Sequence, residues 1–488
     1  MSEDIARVGA VETRGIEPVP DEERHGKPSG LFWMWFAANM GVVGVTLGAA
    51  LTALSHLNVW QALLVATLGS VGSFAMVGAL AVAGKRGGAP GLTLSRAVFG
   101  VRGNLGPTLV SWISLVGWET IMCTTASYAL HDLLHKIFGV GRSNGLIALC
   151  LLVTVTIAAT IGLLGHATIL FIQRWLTWVF GVLTLVVVAF LAADVNWDKA
   201  VSAPAAPTTA VIAAIGFIAA GTGIGWLSAG ADYARYLPRR VHGRSIIGAS
   251  AIGAAIPLIV LIMMGSLLAA DDQALAAATD PVAAVGDPLP TWMAIPYLLT
   301  AVIGLITAAD LSMYSSGLNL LAGGIKIRRT SAVAVDAVLI ILGGLYITVI
   351  AADFYGPFNT FLTLLAVPMS AWAGVFGIDM LTRRSYDPNG LMTMHRGGVY
   401  WYSGGIRWTA VVPWLAGILA GFAYTVAANG EDVWFKGSFA DSWLGQHGLG
   451  WAVSGVLAGV LYTALGEIRR RIGTPRRTTE PYPEGLAQ

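Results

Sequence analysis

The sequence predicts an all-α integral membrane protein with twelve transmembrane helices. Hydrophobic residues make up 56% of its 488 residues and charged residues 11%, where a soluble protein carries about a quarter of charged residues. Twelve apolar runs are each long enough, at about 20 residues, to span a bilayer. If these runs cross the membrane in turn, all basic residues except Lys136, Arg142, Lys199 and Lys436 fall on one side of it. By the positive-inside rule, both termini are expected in the cytoplasm and the protein in the cell membrane.

The apolar runs define the predicted organisation of the chain. In chain order they cover residues 31–55, 60–83, 106–134, 146–165, 168–193, 210–230, 246–270, 291–323, 331–351, 358–382, 408–428 and 448–467. A polar segment at 1–30, with no signal-peptide pattern, is predicted to be a cytoplasmic tail. The remaining predicted units are a five-helix repeat at 31–193, a second, inverted repeat at 210–382, two additional helices at 408–467 and a cytoplasmic tail at 468–488.

Composition and motifs exclude several classes of protein. A net charge of +2 and the lack of a long basic run argue against a nucleic-acid binder. The sequence contains no H-E-x-x-H, G-x-S-x-G or P-loop motif, and its histidines are scattered. We therefore expect neither an enzyme nor a resident metal or cofactor. Cys123 and Cys150 lie in apolar stretches and are predicted to be free thiols.

Two predicted helices contain polar, glycine-rich patches at mid-depth. One lies at Asn39–Gly48 in the first span, and the other at Gly221–Gly230 in the sixth. Either patch alone is explained by close packing of small residues between helices. However, the two occupy equivalent positions in two five-helix halves, which is typical of an inverted-repeat transporter with broken helices at its binding site. Unwound backbone there would offer carbonyl groups to a cation and N–H groups to a substrate.

A few polar and aromatic side chains lie deep in predicted spans. Glu119 and Asp310 are either neutral packing residues or groups that carry a proton, bind a cation or accept a substrate hydrogen bond. Ser312 provides a hard oxygen near Asp310, and a buried Asn319 can donate and accept hydrogen bonds at once, as a nucleobase edge requires. Trp118 lies too far from its helix ends to be an interfacial anchor.

A series of motifs resembles the nucleobase:cation symporter-1 family, and within it the bacterial purine/cytosine permease branch. The matching segments appear in the family's order from about residue 12 to 410. They include Arg14–Pro20, Glu23–Pro28, Trp35–Met40, Gly117–Glu119, Asp232–Pro238, Tyr314–Leu318 and Asp379 with Arg383–Asp387.

The resemblance implies a leucine-transporter-like fold of the APC superfamily, with five plus five inverted repeats and two extra helices. It also implies a planar heterocyclic substrate coupled to Na⁺ or H⁺. Position by position, Trp118 matches the indole that stacks on the substrate, and Asn319 matches the amide near it. The cation-binding or proton-coupling set carried over comprises backbone and side-chain groups at Ala38, Asn39, Gly41, Asp310, Ser312 and Met313.

The chain departs from the family pattern at three places. Met122 stands where many relatives have an amide, so Glu119 is the expected replacement for its hydrogen bonds. Gly223 stands where some relatives have a second aromatic residue, and that role is transferred to Trp226. Met313 replaces a hydroxyl residue of some sodium-dependent relatives, which favours H⁺.

The predicted function is cation-coupled import of a nucleobase, such as cytosine or a purine, or of a related planar heterocycle by alternating access. A transporter of the same fold for allantoin, hydantoin, a vitamin or an amino acid is the nearest alternative. A substrate-sensing receptor or a membrane enzyme is a more distant one. The expected partners are the substrate, the coupling cation and the lipid bilayer.

Overall fold

The computed structural model describes residues 14–164, 166–193, 195–271, 275, 280–286, 289–325, 327–351, 355–429 and 432–471. These residues are mostly helical, and eight helices are long and apolar enough to cross a membrane. The count rises to nine if the bent pair at the start of the chain is a single span. The helices are α1 (Pro28–Ala38), α2 (Val43–Ala53), α3 (Val59–Gly87), α4 (Gly91–Phe99), α5 (Leu105–Phe138), α6 (Asn144–Leu164), α7 (His166–Ala193), α8 (Trp197–Ser202), α9 (Thr208–Gly221), α10 (Gly230–Ala234), α11 (Gly243–Asp271), α12 (Pro281–Gly286), α13 (Thr291–Ala322), α14 (Arg329–Leu345), α15 (Tyr355–Thr382), α16 (Pro388–Met392), α17 (Trp408–Ala423), α18 (Trp443–Gln446) and α19 (Gly450–Arg471).

The first helix break lies between α1 and α2, whose axes differ in direction by 62°. The Asn39 side-chain amide donates to the Trp35 carbonyl at 2.8 Å, so it satisfies a carbonyl at the end of α1. Hydrogen bonds between residues three apart, from the Gly44 N–H to the Gly41 carbonyl and from the Val45 N–H to the Val42 carbonyl, then begin the next helix. The polar, glycine-containing patch predicted in this span is therefore a break in the helix.

The second break follows α9. Helical geometry ends at Thr222, the chain makes one 3₁₀ turn at Ile224–Trp226, and α10 resumes at Gly230. The Thr222 hydroxyl lies 3.0 Å from that of Ser73 in α3, and the Ser73 hydroxyl accepts the Gly223 N–H. A side chain of the neighbouring helix α3, that of Ser73, thus accepts a hydrogen bond from a backbone N–H group that the unwinding leaves without a helical partner.

Glycines permit a close crossing of α2 and α11. A Cβ atom at Gly48 of α2 would overlap the Ile262 carbonyl of α11, and one at Gly265 would overlap the Val45 carbonyl. The two backbones can approach this closely only because both positions lack a side chain.

The predicted span at 408–428 ends earlier in the structure. Helix α17 stops at Ala423, and residues Val426–Asn429 form strand β1, which pairs antiparallel with β2 (Asp432–Lys436). The last part of the predicted span is therefore wrong, because an apolar run alone does not distinguish a helix end from a strand.

One end of the bundle, which we call the arginine-rich end, is closed by the segment at residues 14–27, the N-terminal strap. Arg24 of the strap is buried and donates to the carbonyls of Val19 and Lys85 at 2.7–3.0 Å. The Val19 N–H donates to the Gly88 carbonyl, and the Gly26 N–H donates to the Tyr236 carbonyl. The strap is thus hydrogen-bonded to the ends of α3 and α10.

A buried carboxylate holds α15 and α17 together at the same end. Asp379 forms ion pairs with Arg383 at 2.5 Å and with Arg407 at 3.0 Å. The Tyr462 hydroxyl of α19 donates to the same carboxylate. Three elements therefore depend on one acidic side chain.

Candidate functional site

A small cavity lies beside Trp118. Its walls come from α5, the unwound segment after α9, and α15. The lining residues are Ser114, Trp118, Ala220, Ile224, Gly225, Phe361, Leu362, Leu365, Ala366 and Met369. The cavity is thus almost entirely apolar, with an indole on one side and exposed backbone of a broken helix on another.

The Trp118 indole is held in place from two directions. It makes edge contacts with the rings of Phe358 and Phe361 of α15, at centroid distances of 6.0 and 5.9 Å. On another side it lies directly against Gly225, where a Cβ atom would overlap the indole Nε1. The glycine of the unwound segment is therefore required for the position of the ring.

Two buried hydroxyl groups lie on the same face of α5 as Trp118. Ser114 is one helical turn before Trp118, and its hydroxyl has no hydrogen-bond partner among the described residues. One turn further, the Ser111 hydroxyl lies 2.6 Å from that of Ser228 and accepts the Asn319 side-chain amide at 2.8 Å. Asn319 of α13 is thus tied to α5 and, through Ser111, to the unwound segment.

The other residues predicted to bind substrate lie elsewhere. Gly223 faces Ser73 of α3, and the Trp226 ring makes an edge contact with Trp35 of α1 at 5.4 Å. Neither residue lines the cavity beside Trp118. Met122 is buried in α5, one turn beyond Trp118.

The residues predicted to bind a cation divide between two places. Ala38, Asn39 and Gly41 lie at the break between α1 and α2, where Gly41 packs against Leu305 of α13.

The predicted α13 members of the set, in contrast, face other helices. The Ser312 hydroxyl donates to the Leu115 carbonyl of α5 at 3.2 Å, and Met313 packs against Gly162 of α6. Asp310 is fully buried in α13. The contacts of Ser312 and Met313 therefore do not join them to the break in the first span.

Glu119 faces a polar cluster between α5, α13 and α14, not the cavity. The groups around it are Ser312 and Ser316 of α13 and Asp336 of α14. Asp336 accepts hydrogen bonds at 2.8 Å from the Ser316 hydroxyl and from the Trp112 indole. In the described part of the chain, neither carboxylate oxygen of Glu119 has a hydrogen-bond partner. Sequence reasoning missed Asp336, which lies near the start of a predicted span.

A larger cavity lies near the first helix break and is lined by α2, α7, α11, α12 and α13. Its walls are mostly apolar and include hydroxyl groups at Thr184, Tyr297 and Thr300. The smaller cavity differs in being bounded by an indole and by the unwound segment after α9, which suits a planar ring with polar edges.

A further buried acid, Asp280, lies outside the predicted spans, at the end of the bundle opposite the arginine-rich end. Asp280 pairs with Arg142 at 2.8 Å and accepts the backbone N–H groups of Val282 and Ala283. Burial and the nearby Asp132 raise the pKa of Asp280 to about 6. Among the described residues, no group of three or more His, Cys, Asp or Glu side chains is placed to hold a metal ion.

Comparison with known proteins identifies the chain's family. A family model described as "Permease for cytosine/purines, uracil, thiamine, allantoin" matches residues 18–446. The chain belongs to this family. The members of this family are permeases and not enzymes. Together with the long apolar helices, this makes the chain a multi-pass membrane protein.

Individual relatives support the purine/cytosine permease branch. The putative purine-cytosine permease YxlA of Bacillus subtilis is 29% identical over 53% of this chain and 54% of its own length. The purine-cytosine permease FCY2 of Saccharomyces cerevisiae is 28% identical over 55% and 49%. The chain thus spans about half the length of the curated relatives it matches.

Solved structures show the fold. Mhp1, a nucleobase-cation-symport-1 family transporter solved in a closed conformation with bromovinylhydantoin bound, superposes with a TM-score of 0.75 at 18% identity. The alignment covers 94% of this chain and 96% of that one. An inward-facing structure of Mhp1 gives a TM-score of 0.68 over the same shares. This permease therefore has the fold of Mhp1, as the resemblance predicted.

Proposed function

We propose that this permease is a secondary active importer of a nucleobase, such as cytosine or a purine, or of a related planar heterocycle. Transport proceeds by alternating access and is coupled to H⁺ or Na⁺. The observation that carries the proposal is the position of Trp118: in a member of this permease family, its indole lines a cavity beside the unwound segment after α9.

The substrate ring would stack on Trp118, since stacking on an aromatic side chain favours any planar base. Polar edges of the ring would bond to Asn319 and to the hydroxyl of Ser114. For Asn319 to do so, its bond to Ser111 must exchange for one to the substrate.

The proposed topology has twelve spans, a five-plus-five inverted repeat and both termini in the cytoplasm. The distribution of basic residues supports the orientation, because Arg24, Arg96, Arg383 and Arg407 lie together at the arginine-rich end. A coupling cation would be bound by carbonyls of Ala38, Asn39 and Gly41 at the first break.

The test is uptake of radiolabelled cytosine, adenine, uracil, allantoin and hydantoin into proteoliposomes, with and without ion gradients. Saturable uptake of at least one member is expected. Loss of stacking in Trp118→Ala is expected to weaken the affinity of the permease for the transported substrate by about 1–3 kcal/mol, or about 5- to 150-fold. The exposed Trp408 provides a matched control, and Trp408→Ala should leave affinity unchanged.

Two results would contradict the proposal. Saturable uptake confined to amino acids or vitamins in a wider panel would overturn the substrate class. An unaltered affinity in Trp118→Ala would refute the stacking role even if a base were transported.

A further inference from the structure

The cluster around Glu119 contains two carboxyl groups in the interior of the bundle. Glu119 is 0% exposed, and Asp336 likewise. They lie on different helices, α5 and α14, and face each other beside Ser316 of α13. The described residues supply neither of them with a salt-bridge partner. Two carboxylates that share a dry site repel each other, so a proton or a cation between them lowers the energy of the site.

The hydrogen bonds of the cluster are directed. Ser316 donates its hydroxyl hydrogen to Asp336, and the Trp112 indole donates to the other oxygen of the same carboxylate. Asp336 therefore accepts from two donors, as an ionised carboxylate does. Ser316 still has lone pairs, and Glu119, whose oxygens have no hydrogen-bond partner among the described residues, lies beside Ser316 and Ser312. A proton on Glu119 would complete a chain from Glu119 through Ser316 to Asp336.

Sodium fits this arrangement less well than a proton. Na⁺ needs several oxygen ligands at once, but both Asp336 oxygens already accept hydrogen bonds. The Ser312 hydroxyl is directed at the Leu115 carbonyl. Two further ionisable groups near Glu119 are the thiol of Cys123, one turn away on α5, and the phenol of Tyr233. Both are neutral in their ordinary state and would not displace a proton.

We propose that Glu119, Ser316 and Asp336 form the proton-binding site through which transport is coupled to a proton gradient. The proposal rests on the proposed function and assigns its coupling ion. In the transfer step, the Glu119 carboxyl gives its proton to the Ser316 oxygen while the Ser316 hydroxyl proton passes to Asp336. One O–H bond breaks and one forms at Ser316, and the negative charge moves from Asp336 to Glu119.

The site spans three helices, which links it to conformational change. Asn319, one turn from Ser316 on α13, is tied to the unwound segment through Ser111 and Ser228. A substrate that displaces this bond would alter the position of α13 relative to α5. Because Glu119 and Ser316 lie on those two helices, their separation, and hence the energy of the shared proton, would change with substrate binding.

The experiment uses the full-length protein in proteoliposomes with the panel of cytosine, adenine, uracil, allantoin and hydantoin. Three conditions are compared: an inward proton gradient without Na⁺, an inward Na⁺ gradient at equal pH, and counterflow exchange without gradients. A pH-sensitive dye trapped inside reports proton entry. In the wild type, the proton gradient is expected to drive accumulation, with proton entry that depends on substrate.

Asp336→Asn is expected to retain counterflow exchange but to lose accumulation driven by the proton gradient and the accompanying proton entry. Glu119→Gln is expected to lose both coupled readouts as well. Asp280→Asn, a buried acid far from the site, is the matched control and should keep them. Retained counterflow shows that Asp336→Asn has folded.

Accumulation in Asp336→Asn and Glu119→Gln at the wild-type level under a proton gradient would overturn the proposal. So would wild-type accumulation driven only by Na⁺. If the wild type shows no counterflow with any member of the panel, the proposed function itself has failed. An infrared band of a protonated carboxyl that disappears in Glu119→Gln then tests the proton site independently, and its absence in the wild type would contradict the site.

Discussion

The contact between Gly225 and Trp118 gives a sharp prediction for Gly225→Ala. The backbone at Gly225 has no positive φ, so alanine is conformationally acceptable there. The effect of the substitution is therefore steric. The new methyl group would overlap the indole Nε1 and lie 3.0 Å from its Cδ1 and 3.3 Å from its Cε2. The indole or the unwound segment must move.

The direction of the movement follows from the neighbours of the indole. Phe358 and Phe361 contact Trp118 from α15, and Gly117 packs directly on the Phe361 ring. The open side is the cavity beside Trp118. Overpacking of this kind costs about 1–3 kcal/mol of stability. An indole that has moved into the cavity occupies the place of the substrate, which must push it back in order to bind. We therefore expect the same energy to oppose binding and substrate affinity to fall by about 5- to 150-fold.

The assay is equilibrium binding of the transported base to purified Gly225→Ala, with thermal unfolding measured without substrate. Gly317→Ala is a matched control, because a Cβ at Gly317 of α13 meets no atom within 4 Å. That variant should bind as the wild type does and unfold at an equal or slightly higher temperature. If Gly225→Ala bound substrate as tightly as Gly317→Ala, the role of this contact in shaping the site would be refuted.

Two further predictions concern buried acids. Asp379→Asn leaves Arg383 and Arg407 without their carboxylate and should destabilise the protein by about 3–5 kcal/mol, seen as a lower unfolding temperature in detergent; an unchanged value would contradict this. For Asp280, burial and the nearby Asp132 raise the folded-state pKa to about 6, above the unfolded value of about 3.9. The protonated carboxyl is therefore favoured in the folded protein. Its contribution to stability is full below about pH 4 and is lost as the pH rises through about 6. Asp280→Asn should flatten the pH dependence of the unfolding temperature in that range, and a curve parallel to the wild type would refute the assignment.

The sequence was sufficient for the class of fold and for both helix breaks. Glycines and small polar residues at mid-depth are costly in a helix unless the chain unwinds there, so the patches after Ala38 and Gly221 were readable without a structure. The family motifs then predicted the fold that the comparison with Mhp1 shows.

Side-chain direction could not be read in the same way. Gly225 and Trp226 are adjacent in an unwound segment, where helical periodicity no longer applies, and it is Gly225 that faces Trp118. Ser114 could have been found, because it lies one turn before Trp118 on the same face of α5. The pairing of Glu119 with Asp336 could not, since it depends on how α14 packs against α5.

The N-terminal strap has a consequence for how its end of the bundle stays closed. Arg24 donates to the backbone carbonyls of Val19 and Lys85, and the N–H groups of Val19 and Gly26 donate to carbonyls of the bundle. Asp21 of the strap also forms an exposed ion pair with Arg239, at 3.0 Å. Dissolved ions screen an exposed pair of opposite charges but have little effect on hydrogen bonds between backbone groups. High ionic strength is therefore expected to weaken the Asp21–Arg239 pair and to leave the backbone bonds of the strap in place, so that salt would loosen this closure only in part.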